Sequence, residues 1–211
     1  MIAFLHTSAL HIQRFEKLVR KYNDTVEIQH VVEEDLLKIA LETGVLAKDK
    51  FVKAIQNIQT KQQPKILICT CSTYGQLCEN LEQVHRIDQP IVDLIVAKYT
   101  KIALAYTVLS TKEISQQLTQ QTAIRQGKEI QLTLMDCSHC WSYFEAGNLK
   151  KYEQAIAQHL RKISREVEVI FLAQASMEGA KKYLQDIESI VVSSPEYGIR
   201  TFLAKLSKKG K

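Results

Sequence analysis

Short apolar runs alternate along this chain with longer stretches in which apolar residues recur every three or four positions. The runs predict strands at Ile2–His6, Val26–Val31, Lys65–Thr70, Lys101–Thr107, Glu129–Asp136, Glu168–Ala173 and Ile190–Ser193. The longer stretches predict helices. "HIQRFEKLVRKYN" puts Ile12, Phe15, Leu18 and Val19 on one face, and "KDKFVKAIQNIQTK" does the same with Phe51, Ile55 and Ile58. "KKYEQAIAQHLRKISREV" aligns Tyr152, Ile156, Leu160 and Ile163. Alternation of this kind predicts parallel strands with helices on both faces. A strand covered on both sides has no polar face to show, and "KILIC" and "EVIFLA" are continuously apolar in that way.

The chain contains no Gly- or Ser-rich linker. Its clearest internal division is the reset at "HRIDQPIVDLIVAKYTKIALAYT", where a segment ends near Pro90 and a new strand begins at Lys101. "KILICTCSTYGQ" and "KIALAYTVLSTKE" share one plan: apolar strand, hydroxyl-rich turn, helix. The expected fold is therefore α/β, as two similar lobes that are each a parallel-sheet sandwich. Ligands of such sheets collect beyond the carboxyl ends of the strands.

Composition narrows the function classes. With 45% hydrophobic and 24% charged residues the chain is ordinary for a globular protein, and no apolar run is long enough to span a bilayer. "MIAFLHTSALH" lacks a basic leader and breaks its apolar run at His6, so no signal peptide is expected. Five cysteines without a secretory signal predict reduced thiols in the cytoplasm. The net charge of +5 comes largely from "KLSKKGK", whose Lys205, Lys208, Lys209 and Lys211 read as a frayed, solvated tail. Elsewhere acids and bases interleave, and no aromatic residues alternate with basic ones. Neither a nucleic-acid partner nor a membrane partner is expected.

Unusual residues gather at four strand-to-helix junctions: His6-Thr7-Ser8, Cys71-Ser72-Thr73, Thr107 with Ser110-Thr111, and Gln174-Ala175-Ser176. Free N–H groups and hydroxyls at helix starts suit an anion, and a carboxylate held there would need no arginine. Ser and Thr are also simply the preferred helix caps. Cys71 is the sharpest candidate, because a helix N-terminus lowers a thiol pKa and yields a thiolate base or nucleophile. Cys69 and Cys78 read as packing. Cys137 and Cys140 form a C-x-x-C that a thiol oxidoreductase could use, while Cys137, His139 and Cys140 are too few and too cramped for zinc. His6 lies at a strand end; His11, His30, His85 and His159 have no nameable partner.

"IAFLHTS", "CTCSTYG", "RIDQPIVDLIVAKYTKIALAYTVLST", "VIFLAQASMEGA" and "VVSSPEYGIRTFL", in that order, resemble the segments of the aspartate/glutamate/hydantoin racemase superfamily. The resemblance implies an active-site cleft between the lobes and a C-terminal segment that returns to the first lobe. The expected division is 1–95 plus 190–211 and 96–189. It also implies an isomerase that needs no cofactor and no metal, with one thiol on each side of a substrate carbon. Cys71 matches the first thiol. Gln174 stands where the second would be, and an amide cannot exchange a proton at neutral pH. Single-cysteine relatives, such as arylmalonate decarboxylases, show that lyase chemistry is compatible with the fold. By resemblance, a small carboxylate-bearing molecule would meet Ser8, Ser72, Thr73, Thr107, Thr111, Gln174 and Ser176. The family's second-lobe acid or histidine has no match in "CSHCWSYFEAGNLKKY". A non-catalytic carboxylate-binding protein is the alternative, and relatives leave a homodimer open.

Overall fold

The computed structural model describes residues 1–79 and 81–208. Eight strands form two four-stranded sheets, parallel throughout. The first sheet has the order β2-β1-β3-β4, from β1 (Ile2–His6), β2 (Ile28–Val32), β3 (Ile66–Cys69) and β4 (Val84–Arg86). The second has the order β6-β5-β7-β8, from β5 (Lys101–Tyr106), β6 (Gln131–Asp136), β7 (Val169–Leu172) and β8 (Ile190–Ser193). Flanking helices are α1 (Ile12–Tyr22), α2 (Glu34–Thr43), α3 (Lys48–Gln62), α4 (Gly75–Cys78), α5 (Gln89–Lys98), α6 (Leu109–Gln126), α7 (Trp141–Glu145), α8 (Leu149–Leu160) and α9 (Ser194–Lys208).

The apolar pattern explains strand position. β1, β3 and β7 are interior strands and buried along their whole length, whereas the edge strands β2 and β6 are only partly buried. An interior strand meets helices on both faces and has no room for polar side chains. β4 was not predicted: it is three residues long and "VHR" carries one apolar residue.

The chain divides into two units, residues 1–89 with the segment from Pro195 onward, and Pro90–Ser194. The sequence placed 190–211 wholly in the first lobe. β8 belongs instead to the second sheet, because Val169–Leu172 pairs with Ile190–Ser193 residue by residue. The return to the first unit begins at Pro195. There Gly198 comes so close to Ile87 that a Cβ would lie 2.6 Å from its carbonyl oxygen, and Phe202 stacks on His85 at 5.1 Å. The lysine-rich end is helical rather than frayed as far as it is described: α9 runs to Lys208, and Lys205 lies over the Phe202 ring. Lys209 and Lys211 fall outside the described residues. Among the described residues, no helix is long and apolar enough to cross a membrane.

The first unit's core joins Leu5, Leu67 and Cys69 of the sheet to Leu36, Phe51, Ile55 and Tyr74. In the second, Ala103, Ile170 and Leu172 meet Phe144, Tyr152, Ile156 and Leu160.

Candidate active site

In the first unit the carboxyl ends of β1 and β3 lie side by side, since β1 pairs with β3 up to Leu5 opposite Cys69. Beyond the strands the pairing continues through side chains. His6 Nδ1 is 2.8 Å from Thr70 Oγ1, and the Thr7 hydroxyl hydrogen-bonds the Cys71 sulfur. Cys71, in extended backbone, caps a 3-10 turn, Ser72–Tyr74, that runs directly into α4. The backbone N–H groups of Thr73 and Tyr74 point at the same sulfur. Three donors thus converge on Cys71.

The expected depression of the Cys71 thiol does not occur. Burial, with Cys69 beside it, pushes the thiol up to about 11, against the opposing pull of Thr7 and the two backbone N–H groups. The physical reason is that losing water penalises the thiolate more than three hydrogen bonds and a short turn repay. Cys71 is a neutral thiol at rest. It is nonetheless the most exposed of the five cysteines, at 9%, against 0–2% for the others. Cys69 and Cys78 are packing groups, as read from the sequence: both are buried, and the Cys78 thiol leans on Tyr74 O at 3.8 Å.

The second unit repeats the plan with different chemistry. Thr107 follows β5 as Thr7 follows β1, and Gln174 lies two residues past β7 as Cys71 lies two past β3. Gln174 caps the 3-10 helix Ala175–Tyr183. Its Oε1 accepts from the Thr107 N–H at 2.6 Å and from the Thr107 hydroxyl at 3.1 Å. A backbone N–H can only donate, so the amide orientation is fixed and Nε2 carries the remaining donors. Tyr152 OH completes the network, 3.0 Å from both Thr107 Oγ1 and Ser176 Oγ. Burial pushes the Tyr152 phenol up to about 12, so it is a neutral hydrogen-bonding group. The sequence placed Tyr152 only on an apolar helix face. Its phenol could be found only by knowing that Thr107 and Ser176, far away in the chain, lie beneath it.

The predicted site residues therefore fall into two sets. Cys71, Ser72 and Thr73 gather at the first unit's turn, with Thr7 added. Ser8, half-buried, is occupied as the cap of the turn Ala9–His11, where it accepts from Leu10 N–H. Thr107, Gln174 and Ser176 gather in the second unit. Thr111 lies in the first turn of α6, buried, its N–H donating to Val108 O at 3.0 Å. The thiols of Cys137 and Cys140 are fully buried, joined by a 2.9 Å backbone bond, and pushed up to about 12 and about 11 by burial. A redox pair must expose a thiolate. These two pack the second core instead. Among the described residues, no group of three or more ligating side chains could hold a metal ion.

Two histidines of the first unit are also shifted. Burial, with His30 and His11 nearby, drives His6 down to about 3, and burial with Arg14 nearby drives His11 to about 4. Below pH 6.5 the unfolded chain binds protons at these positions that the folded chain refuses. The stability they contribute is complete above pH 6.5 and lost as pH falls toward 3. Thermal melts should show several degrees' loss between pH 7 and pH 4, and His6→Gln should flatten that dependence; an unchanged slope in His6→Gln would contradict the assignment.

With this geometry in hand, the comparisons are informative. No family model matches the sequence, and no curated protein matches it. Solved structures do match. Glutamate racemase from Francisella tularensis in complex with D-glutamate superposes with a TM-score of 0.77 at 12% identity, over 99% of this chain and 81% of that one. This chain carries the racemase fold. Aspartate racemase from Picrophilus torridus (TM-score 0.73, 13% identity, 98% and 94% covered) shares it. So does allantoin racemase from Klebsiella pneumoniae (0.68, 13%, 99% and 88%). The racemase fold accounts for the two-sheet plan.

Proposed function

We propose that the protein is a cofactor-independent, racemase-like enzyme that acts on a small carboxylate-bearing molecule through one thiol, Cys71. The observation that carries this reading is the convergence of the Thr7 hydroxyl and the Thr73 and Tyr74 N–H groups on the only partly accessible cysteine. Those donors stabilise a sulfur anion once it forms, and a thiolate is the base that α-proton removal requires. The carboxylate class finds support in two solved proteins of this fold that are named as racemases of glutamate and aspartate. An amino acid or dicarboxylate fits. Ser72 and Thr73 are the first unit's candidate donors to its carboxylate, with Ser8 in its capping role beside them.

Gln174 brings different chemistry to the second unit's turn. Its locked amide presents N–H and carries no titratable proton, so it binds an acceptor oxygen rather than exchanging hydrogen. Thr107 holds Gln174 directly, Ser176 and Thr107 hold Tyr152, and Thr111 lies in the first turn of the helix that follows Thr107. Gln174→Ala should raise KM for a carboxylate substrate about tenfold, the cost of one hydrogen bond to a charged group. The rate of Cys71 alkylation should not move. A KM within twofold of wild type would remove Gln174 from the site.

The test is proton exchange. The protein is incubated in D₂O with a panel of amino acids and dicarboxylates, and loss of the α-proton signal is followed by NMR. Exchange by wild type supports the proposal. Thermal stabilisation by the same compounds without exchange would favour a binding protein instead, a reading that the neutral resting thiol and Gln174 both support.

A further inference from the structure

The first unit contains a continuous hydrogen-bonded chain that the reading of Cys71 does not use. Thr70 Oγ1 is 2.8 Å from His6 Nδ1, His6 Nε2 is 2.8 Å from His30 Nδ1, and His30 Nε2 is 3.0 Å from Glu16 Oε2. Burial falls steadily along it: His6 is fully buried, the His30 side chain is 12% exposed and that of Glu16 is 39% exposed. One end is the residue before Cys71. The other is on the surface of α1.

We propose that Thr70, His6, His30 and Glu16 form a hydrogen-bonded relay that links protonation near the surface to the turn that carries Cys71, with His6 as the positioning residue of that turn.

Counting donors gives the relay two states. In the first, the Thr70 hydroxyl donates to His6 Nδ1, His6 Nε2–H donates to His30 Nδ1, and His30 Nε2–H donates to the Glu16 carboxylate. Both imidazoles are neutral. In the second, Thr70 turns its hydroxyl to Leu5 O, 3.2 Å away, and accepts from His6 Nδ1–H. His30 then donates from both nitrogens, to His6 Nε2 and to Glu16. The second state holds one more proton, on His30, and His6 has only changed tautomer. The balance closes: the second state is the first plus one proton taken up from solvent, which resides on His30, while His6 exchanges its Nε2–H for an Nδ1–H.

The surroundings suit that role. Hydrogen bonds from His30 and Arg20 outweigh partial burial and hold the Glu16 carboxyl below its ordinary range, so it is an anion ready to face an imidazolium. The other charged or titratable groups near the relay are His11 and Arg14, both at the start of α1, which oppose further charge on His6 and His11 respectively. His6 therefore changes tautomer without holding an extra proton. Its ring is clamped between Thr70 and His30, and the next residue, Thr7, holds the Cys71 sulfur.

The test has two arms on the intact protein. Histidine ¹⁵N NMR across a pH series should show His6 moving from the Nε2–H to the Nδ1–H tautomer, never to imidazolium, as the relay takes up its extra proton. Alkylation of Cys71 by iodoacetamide should leave its tenfold rise per pH unit at that same pH, because a cation on the relay favours the thiolate. Glu16→Gln, a surface change that spares the core, should move both events to lower pH by on the order of one unit. A His6 that keeps one tautomer would overturn the relay. So would an alkylation profile of unit slope that is identical in Glu16→Gln. The second arm rests on Cys71 being the reactive thiol; the first does not, so absence of substrate exchange would leave the NMR result standing.

Discussion

Cys71→Ala is expected to lower α-proton exchange by about 10³-fold, to the level of buffer alone, because it removes the one group in the first unit's turn able to carry the proton. Cys71→Ser should do nearly as badly, since a hydroxyl in the same buried nest ionises far less readily than a thiol. Neither variant should unfold the protein. Cys71 packs at the edge of a core whose mass lies in Leu5, Leu36, Phe51 and Tyr74, and its loss should cost about 1 kcal/mol. The pH profile supplies a second check. With the thiol pushed up to about 11, roughly one molecule in ten thousand is a thiolate at pH 7. Above the pH at which the relay gives up its extra proton, alkylation and exchange in wild type should therefore climb about tenfold per pH unit and flatten near pH 11. A plateau near pH 7, or exchange that survives Cys71→Ala, would show that another group does the chemistry.

Asp88→Asn should be the most destabilising conservative change in the first unit, at about 3–5 kcal/mol. Asp88 and Arg86 are both buried and meet face to face, Nε to Oδ1 at 2.7 Å and Nη2 to Oδ2 at 3.0 Å. Glu79, half in solvent, takes Nη1 at 2.8 Å. An asparagine would set an amide N–H₂ against the guanidinium and leave that cation with one exposed partner. The pair also matters for the site. A Cβ on Gly75, the first residue of α4, would lie 2.7 Å from the Arg86 guanidinium, so the guanidinium passes directly beneath the turn that begins at Cys71. Urea denaturation should show a lower midpoint with an unchanged slope. The double variant Arg86→Met/Asp88→Leu should recover much of the loss, since no charge is then buried alone. A loss under 1 kcal/mol in Asp88→Asn would mean that water reaches the guanidinium.

The site was legible in part. Cys71 and Gln174 could be named from their place two residues after an apolar run. Their partners could not, because Thr7 lies 64 residues from Cys71 and Thr107 lies 67 from Gln174. The same distance hid Tyr152, and it hid the bond from His6 to Thr70 that crosses from β1 to β3. The sign of the Cys71 shift was misjudged for a related reason. A helix start is visible in a sequence, whereas the water removed by Leu5, Phe51 and Tyr74 is not.

The order of residues alone determined the alternation of strands and helices, the interior strands β1, β3, β5 and β7, and the hydroxyl-rich turns that follow them. These depend on periodicity and local propensity, which act over a few neighbouring residues. Tertiary structure alone decided that β8 joins the second sheet, that Cys71 is a protonated thiol among three donors, that Gln174 is held through its amide oxygen, and that His6 is wired to Glu16. Each of those depends on which distant segments share a neighbourhood and how much water they exclude, and both quantities exist only once the chain has folded.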